Sequence, residues 1–194
     1  MHTFKRAALG LTLAALPLAG VAVATDAVSF GSVAAQSPIN VGRVCLDGSQ
    51  AGRYQAEVQG AISIWNSHVH SVQLAECSGG ITITEVGSYP GGSQYQGDMR
   101  GHGQIYIDDS QVDEGYNHQR VVAHEIGHGL GLYDNYSGPC SELMSGGGPG
   151  TSCQNYNPDA NESAQVDQIW AGSLTAAAPK QNVTLVFPTA HATK

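Results

Sequence analysis

The string His124-Glu125-Ile126-Gly127-His128-Gly129-Leu130-Gly131-Leu132-Tyr133-Asp134 constrains this chain more than any other stretch. On a helix, residues four apart project from nearly the same face, so His124 and His128 set two imidazole nitrogens at two corners of a tetrahedral zinc site. Glu125 lies one residue round, off the ion itself but able to reach a water held there and act as its general base. Gly131 tolerates left-handed dihedrals, which end the helix and turn the chain back so that Asp134 supplies a third ligand. The fourth corner stays open to water. A His-Glu-x-x-His string alone is only suggestive in a chain with eight histidines. The Gly and Asp at their spacings, with Ser141-Glu142-Leu143-Met144-Ser145 downstream, give it specificity.

The start of the chain carries Lys5 and Arg6, then an apolar run from Ala7 to Val23 and small residues at Ala22 and Ala24. This pattern predicts a secretory signal peptide over residues 1–24 rather than an anchor, because Pro17 and Gly20 interrupt the run. No later segment is long and apolar enough to span a bilayer, so no membrane partner is expected and an extracellular product is. In an oxidising compartment the four cysteines favour two disulfides over metal binding, since no Cys-x-x-Cys spacing exists. Three connectivities are open, and the local one joins Cys140 to Cys153 and Cys45 to Cys77. The formal charge of -8 includes two leader cations, so the exported form is more acidic still and nucleic acid is a poor partner. After export about 130–150 residues remain, which suits one compact domain, expected to be monomeric.

Residues 25–40 are small and polar without periodicity and are expected to be a short pro-segment or flexible arm, with 41–172 forming the domain and 173–194 a C-terminal extension that alternates over Val183 to Phe187 and is expected either to be trimmed or to add one edge strand. Tyr54, Val58, Ala61, Ile62 and Trp65 recur at helical spacing, predicting a helix that ends near Asn66. Strands are expected at Val72 to Ala75, Ile81 to Val86 and Gly103 to Asp108, with a poorly ordered edge strand within Gly87 to Gly101. Asn117 is placed to cap the metal helix, whose buried side is Val121, Val122, Ile126 and Leu130. A short helix is predicted over Glu162 to Trp170. His68, His70, His102, His118 and His191 lack a helical partner and are read as solvated or structural.

With the metal string, Asp134 and the Met144 segment together, the chain resembles the metzincin-type zinc endopeptidases, and among them the snapalysin family. The likeness is densest from Val122 to Cys153, including Tyr136-Ser137-Gly138-Pro139-Cys140 and Ser141 to Gly150. It implies an α+β, metzincin-like zinc peptidase domain: a twisted mixed sheet with an N-terminal helix, an active-site helix, a Met-turn and an irregular C-terminal part. It implies His124, His128 and Asp134 as ligands of one catalytic zinc and Met144 in the turn beneath them. Tyr136 would steady the reacting carbonyl, and Cys140 would pair with Cys153. It also suggests a preference for an aromatic residue just after the cut bond. The family binds calcium through an Asp and a Thr ahead of the helix. Asn117 and Gln119 stand there instead, which argues against calcium.

These readings converge on a secreted zinc endopeptidase acting on protein or peptide substrates, with Glu125 as general base. The alternative from another class is a secreted binding module that keeps zinc for structure without turnover. Glu125 speaks against it, because a structural site needs no base beside its open position.

Overall fold

A computed structural model of the chain describes residues 41–172 and 182–187. The expected leader, the 25–40 arm, His191 and the rest of the C-terminal extension lie outside the described residues. The β-branched run Ile81-Thr82-Ile83-Thr84 becomes β3 (Ile81–Val86), its Ile residues fully buried on one face while the Thr residues face outward. It lies between β1 (Gly42–Gln50) and β5 (Gly103–Asp108), parallel to both, and β2 (Val72–Glu76) pairs in parallel with β1. The full order is β2-β1-β3-β5-β4-β6, in which β4 (Gln94–Gly97) runs antiparallel to both β5 and β6 (Val183–Val186).

One face of this mixed sheet packs on two helices. The stripe Val58, Ala61 and Trp65 of α1 (Gln55–His68) is buried, as the periodicity predicts. A 3-10 turn at Gly52–Tyr54 precedes it, so Tyr54 caps the helix instead of opening it. Across the interface the Trp65 indole N–H donates to the Ala123 carbonyl at 3.0 Å, tying α1 to α3 (His118–Gly129). Leu46, Ile81, Ile83, Ile105, Ile107 and Ile126 complete the core beneath. Two disulfides, Cys45 to Cys77 and Cys140 to Cys153, tie parallel β1 to the end of β2 and close the loop after α3.

Several elements differ from the expectations above. The segment within 87–101 yields an ordered strand, β4, that is not an edge, because β6 from the C-terminal extension pairs along its outer side. The edge is β6 itself. The helix predicted at Glu162 to Trp170 runs further, as α4 (Ala160–Gly172). Two elements were not anticipated. β1 carries its apolar signal on Val44 and Leu46 alone, amid Gly42, Asp47 and Gly48, and is a strand because neighbours pair on both sides. The short α2 (Asp109–Asp113) follows β5 and is capped by Asp108, whose carboxylate accepts from Ser110 N at 2.9 Å. No helix among the described residues is long and apolar enough to cross a membrane.

Candidate metal centre

The site is built on α3. Asn117 has extended dihedrals and accepts from Arg120 N at 2.9 Å, which meets one of the open amides of the first turn. Its buried surface is wider than the predicted stripe: every residue from Arg120 to Gly129 is buried. Between the two histidines, Gly127 is a steric requirement. A Cβ there would stand 2.8 Å from the Met144 sulfur and 3.1 Å from Trp65 Cζ2. The helix ends in a Schellman turn, with Gly131 at φ 109°, Gly131 N donating to His128 O and Leu132 N to Gly127 O. That turn brings the Leu132 carbonyl to within 2.8 Å of His128 Nδ1.

Protonation of the cluster follows from these partners. His128 Nδ1 faces the Leu132 carbonyl, and His124 Nδ1 faces the Leu143 carbonyl at 3.0 Å. A carbonyl only accepts, so both Nδ1 atoms carry the proton and both Nε2 atoms present bare lone pairs. The two Nε2 atoms lie 3.0 Å apart, and Asp134 Oδ1 lies 3.2 and 3.4 Å from them. No proton is available to any of the three contacts, and Asp134 Oδ1 has no hydrogen-bond partner. Three lone pairs thus converge where only a cation can satisfy them. A tetrahedral ion with ligand bonds of about 2.0–2.1 Å has ligand-to-ligand edges of about 3.3 Å, close to the observed triangle.

The electrostatics agree. Burial pulls the His124 pKa down to about 4, keeping the imidazole neutral and able to ligate. Burial pushes the Asp134 carboxyl upward, but the two imidazoles beside it outweigh that and hold the group well below the usual carboxylate range. Glu125 is fully buried and neither carboxylate oxygen meets a hydrogen-bond partner. Burial, followed by repulsion from Asp134, raises its pKa well above the ordinary value. One of its carboxylate oxygens lies within 4.8 Å of a ring nitrogen of both His124 and His128, so Glu125 borders the same cluster as Asp134.

The Met144 turn is a 3-10 turn at Leu143–Ser145, closed by Gly146 at φ 55°. Two residues that the sequence did not single out hold it. Glu162 of α4 accepts from Leu143 N at 3.0 Å and from Met144 N at 2.6 Å. Arg120, 1% exposed, donates to the carbonyls of Gly146, Asn155 and Glu142 and to the Ser145 hydroxyl. An Arg within an otherwise apolar helix stretch was the available signal for the second. Glu162 had none, since its partners are backbone amides.

Tyr136 stands beside the cluster, and the remaining described histidines stand elsewhere. The Tyr136 hydroxyl donates to the Val186 carbonyl at 2.8 Å, and burial, with the Asp134 charge close by, raises its pKa. His68 bonds the Ile64 carbonyl, His102 pairs with Asp98, and His118 lies 3.7 Å from Glu57, all outside the cluster. The Asn117 amide donates to Gln154 and the Gln119 amide to the Glu57 carbonyl.

Comparison with known proteins points the same way. The family model described as the Streptomyces extracellular neutral proteinase (M7) family matches residues 41–173. An "Extracellular small neutral protease" of Streptomyces coelicolor is 45% identical over 135 residues, covering 70% of this chain. The match spans 62% of that relative's own length. The protein of the same name from Streptomyces caespitosus is 47% identical over 128 residues, covering 66% of this chain and 96% of the relative.

Proposed function

Since the chain belongs to the Streptomyces extracellular neutral proteinase (M7) family, we propose that it is an extracellular zinc endopeptidase whose metal is held by His124, His128 and Asp134. The observation that carries this reading is the triangle of two bare Nε2 lone pairs and one unpartnered carboxylate oxygen, spaced at 3.0, 3.2 and 3.4 Å. Nitrogen and oxygen donors in a compact tetrahedral set suit zinc better than the larger, oxygen-loving calcium. When bound, zinc supplies a Lewis acid that polarises the scissile carbonyl and brings a coordinated water toward neutrality in pKa.

The chain's own residues do the rest. Glu125, unpartnered and buried beside the cluster, takes the proton of the attacking water and delivers it to the departing amine. Tyr136, a hydroxyl donor at the rim, steadies the carbonyl oxygen as it gains charge. Leu132 and Leu143 hold the imidazole tautomers through their carbonyls. Met144 packs under Gly127 as the floor. Residues 1–24 serve as a leader and 25–40 as an arm removed or left free, with 41–172 carrying the activity on protein or peptide substrates.

Casein clearing by the purified protein, with and without a chelator, tests this directly. Chelator-sensitive clearing restored by one equivalent of zinc is the expected result. A protein that retains zinc but never turns over casein or any peptide would instead be a binding module.

A further inference from the structure

We propose that Val183–Phe187 is a built-in occupant of the peptide-binding edge of β4, seated as a substrate strand would be and holding the protease autoinhibited. The proposal rests on the endopeptidase reading above. Without β6, the outer side of β4 would be the open edge of the sheet. That edge adjoins the metal cluster, since the ring of Tyr95 on β4 lies 6.4 Å from that of His128. An extended peptide adds to such an edge through main-chain hydrogen bonds, with alternate side chains entering pockets.

The tail does this over its whole described length. Gln94, Tyr95, Gln96 and Gly97 pair antiparallel with Val186, Leu185, Thr184 and Val183. The ladder continues past the strand, with Phe187 N donating to Ser93 O at 2.8 Å. Phe187 is fully buried, edge-on to His124 at 4.9 Å and to Tyr116 at 5.5 Å. Its carbonyl accepts from the Gln111 amide at 2.6 Å, and the same amide's oxygen accepts from Ser93 N. On the other flank the Tyr136 hydroxyl reaches the Val186 carbonyl. The tail therefore occupies Tyr136 and packs against a proposed zinc ligand. A strand needed only to close the sheet would require neither contact. This segment also lies beyond the residues 41–173 that the family model matches.

Tethering makes the block effective, because a segment joined in the same chain competes intramolecularly, at an effective concentration that a free peptide must exceed. A foreign protease site placed within residues 173–181 allows the chain to fold intact and then be cut. With zinc loaded, releasing the tail should raise kcat/KM on a quenched peptide by about tenfold or more. Adding back a synthetic peptide of residues 182–194 should restore inhibition competitively. The labelled peptide should bind the metal-free, tail-released chain by fluorescence anisotropy, and Phe187→Ala within it should weaken binding by about tenfold or more. Unchanged or lower kcat/KM on release, or a peptide that neither competes nor binds, overturns the proposal. If neither form cleaves any peptide, the protease reading fails instead, and the anisotropy alone decides whether the tail has its seat.

Discussion

At the residue scale, the centre depends on which groups lack a partner. Glu125 has none, so Glu125→Gln keeps the shape and the ligands and removes the base. Zinc content should stay at that of the unmodified chain while turnover falls by roughly a hundredfold to ten-thousandfold. Turnover within a few-fold of the original would remove Glu125 from the chemistry. The hydroxyl of Tyr136 makes a subtler test, since it donates to a carbonyl already. With the tail released, Tyr136→Phe should lower kcat by about a hundredfold and leave KM and zinc content nearly unmoved. A Phe variant with normal kcat would reduce Tyr136 to a packing residue of the rim. His124 gives a pH dependence in the chelated chain. Its folded pKa, drawn by burial to about 4, lies below the ordinary value of 6.5, so the unfolded chain binds the extra proton first. Glu125, whose pKa is raised, titrates with the opposite sign over the same window, so it is in the metal-free Glu125→Gln chain that thermal stability should hold above about pH 6.5 and decline as pH falls toward 4. A midpoint that stays flat across that window would contradict the buried, neutral imidazole.

At the element scale, the helix and the turn beneath it are held by groups that never touch the metal. Glu162 of α4 satisfies two amides of the Met144 turn, one of them on the residue whose carbonyl orients His124. Glu162→Ala leaves both amides unpaired in a buried place, at a cost of about 3 kcal/mol. Chemical denaturation should register that loss, and zinc affinity should weaken in parallel because the Leu143 carbonyl is no longer held. Unchanged zinc affinity would show that the turn keeps its position without α4. The bridge from Cys140 to Cys153 closes the same loop from the other end, with a sequence separation of 13. Replacing both with Ser should cost about 3 kcal/mol in the chain-entropy picture, with zinc lost before the sheet unfolds. Near-UV circular dichroism followed against zinc content would separate the two events, and simultaneous loss would contradict the order stated. The pattern of α1 was legible because its burial repeats at the helical period, whereas α3 is buried all round and was legible from its His-Glu-x-x-His spacing. Polar residues that bond backbone atoms of a distant loop, as Arg120 and Glu162 do, leave no such period.

At the scale of the whole molecule, sequence and tertiary structure divided the work by range. The close placing of His124 and His128 on α3, the Gly131 turn and the strands at 81–86 and 103–108 were legible because each depends on neighbours within a few residues. Helical projection brings His124 and His128 together, a left-handed Gly turns the chain, and β-branched alternation makes a two-faced strand. The family likeness reached further, to a turn at Met144 beneath the helix, since it draws on patterns already assembled into a fold. Only the tertiary structure could decide the strand order. Pairing between β1 and β3, or between β4 and β6, joins residues tens of positions apart, and an isolated strand sequence does not name its partner. For the same reason β4, expected as a poorly ordered edge, became an interior strand, and an alternating tail segment became the edge beside the metal cluster. The tail's alternation predicts a strand, but its place over His124 and Tyr136 is set by the open side of β4 and by the pocket that buries Phe187.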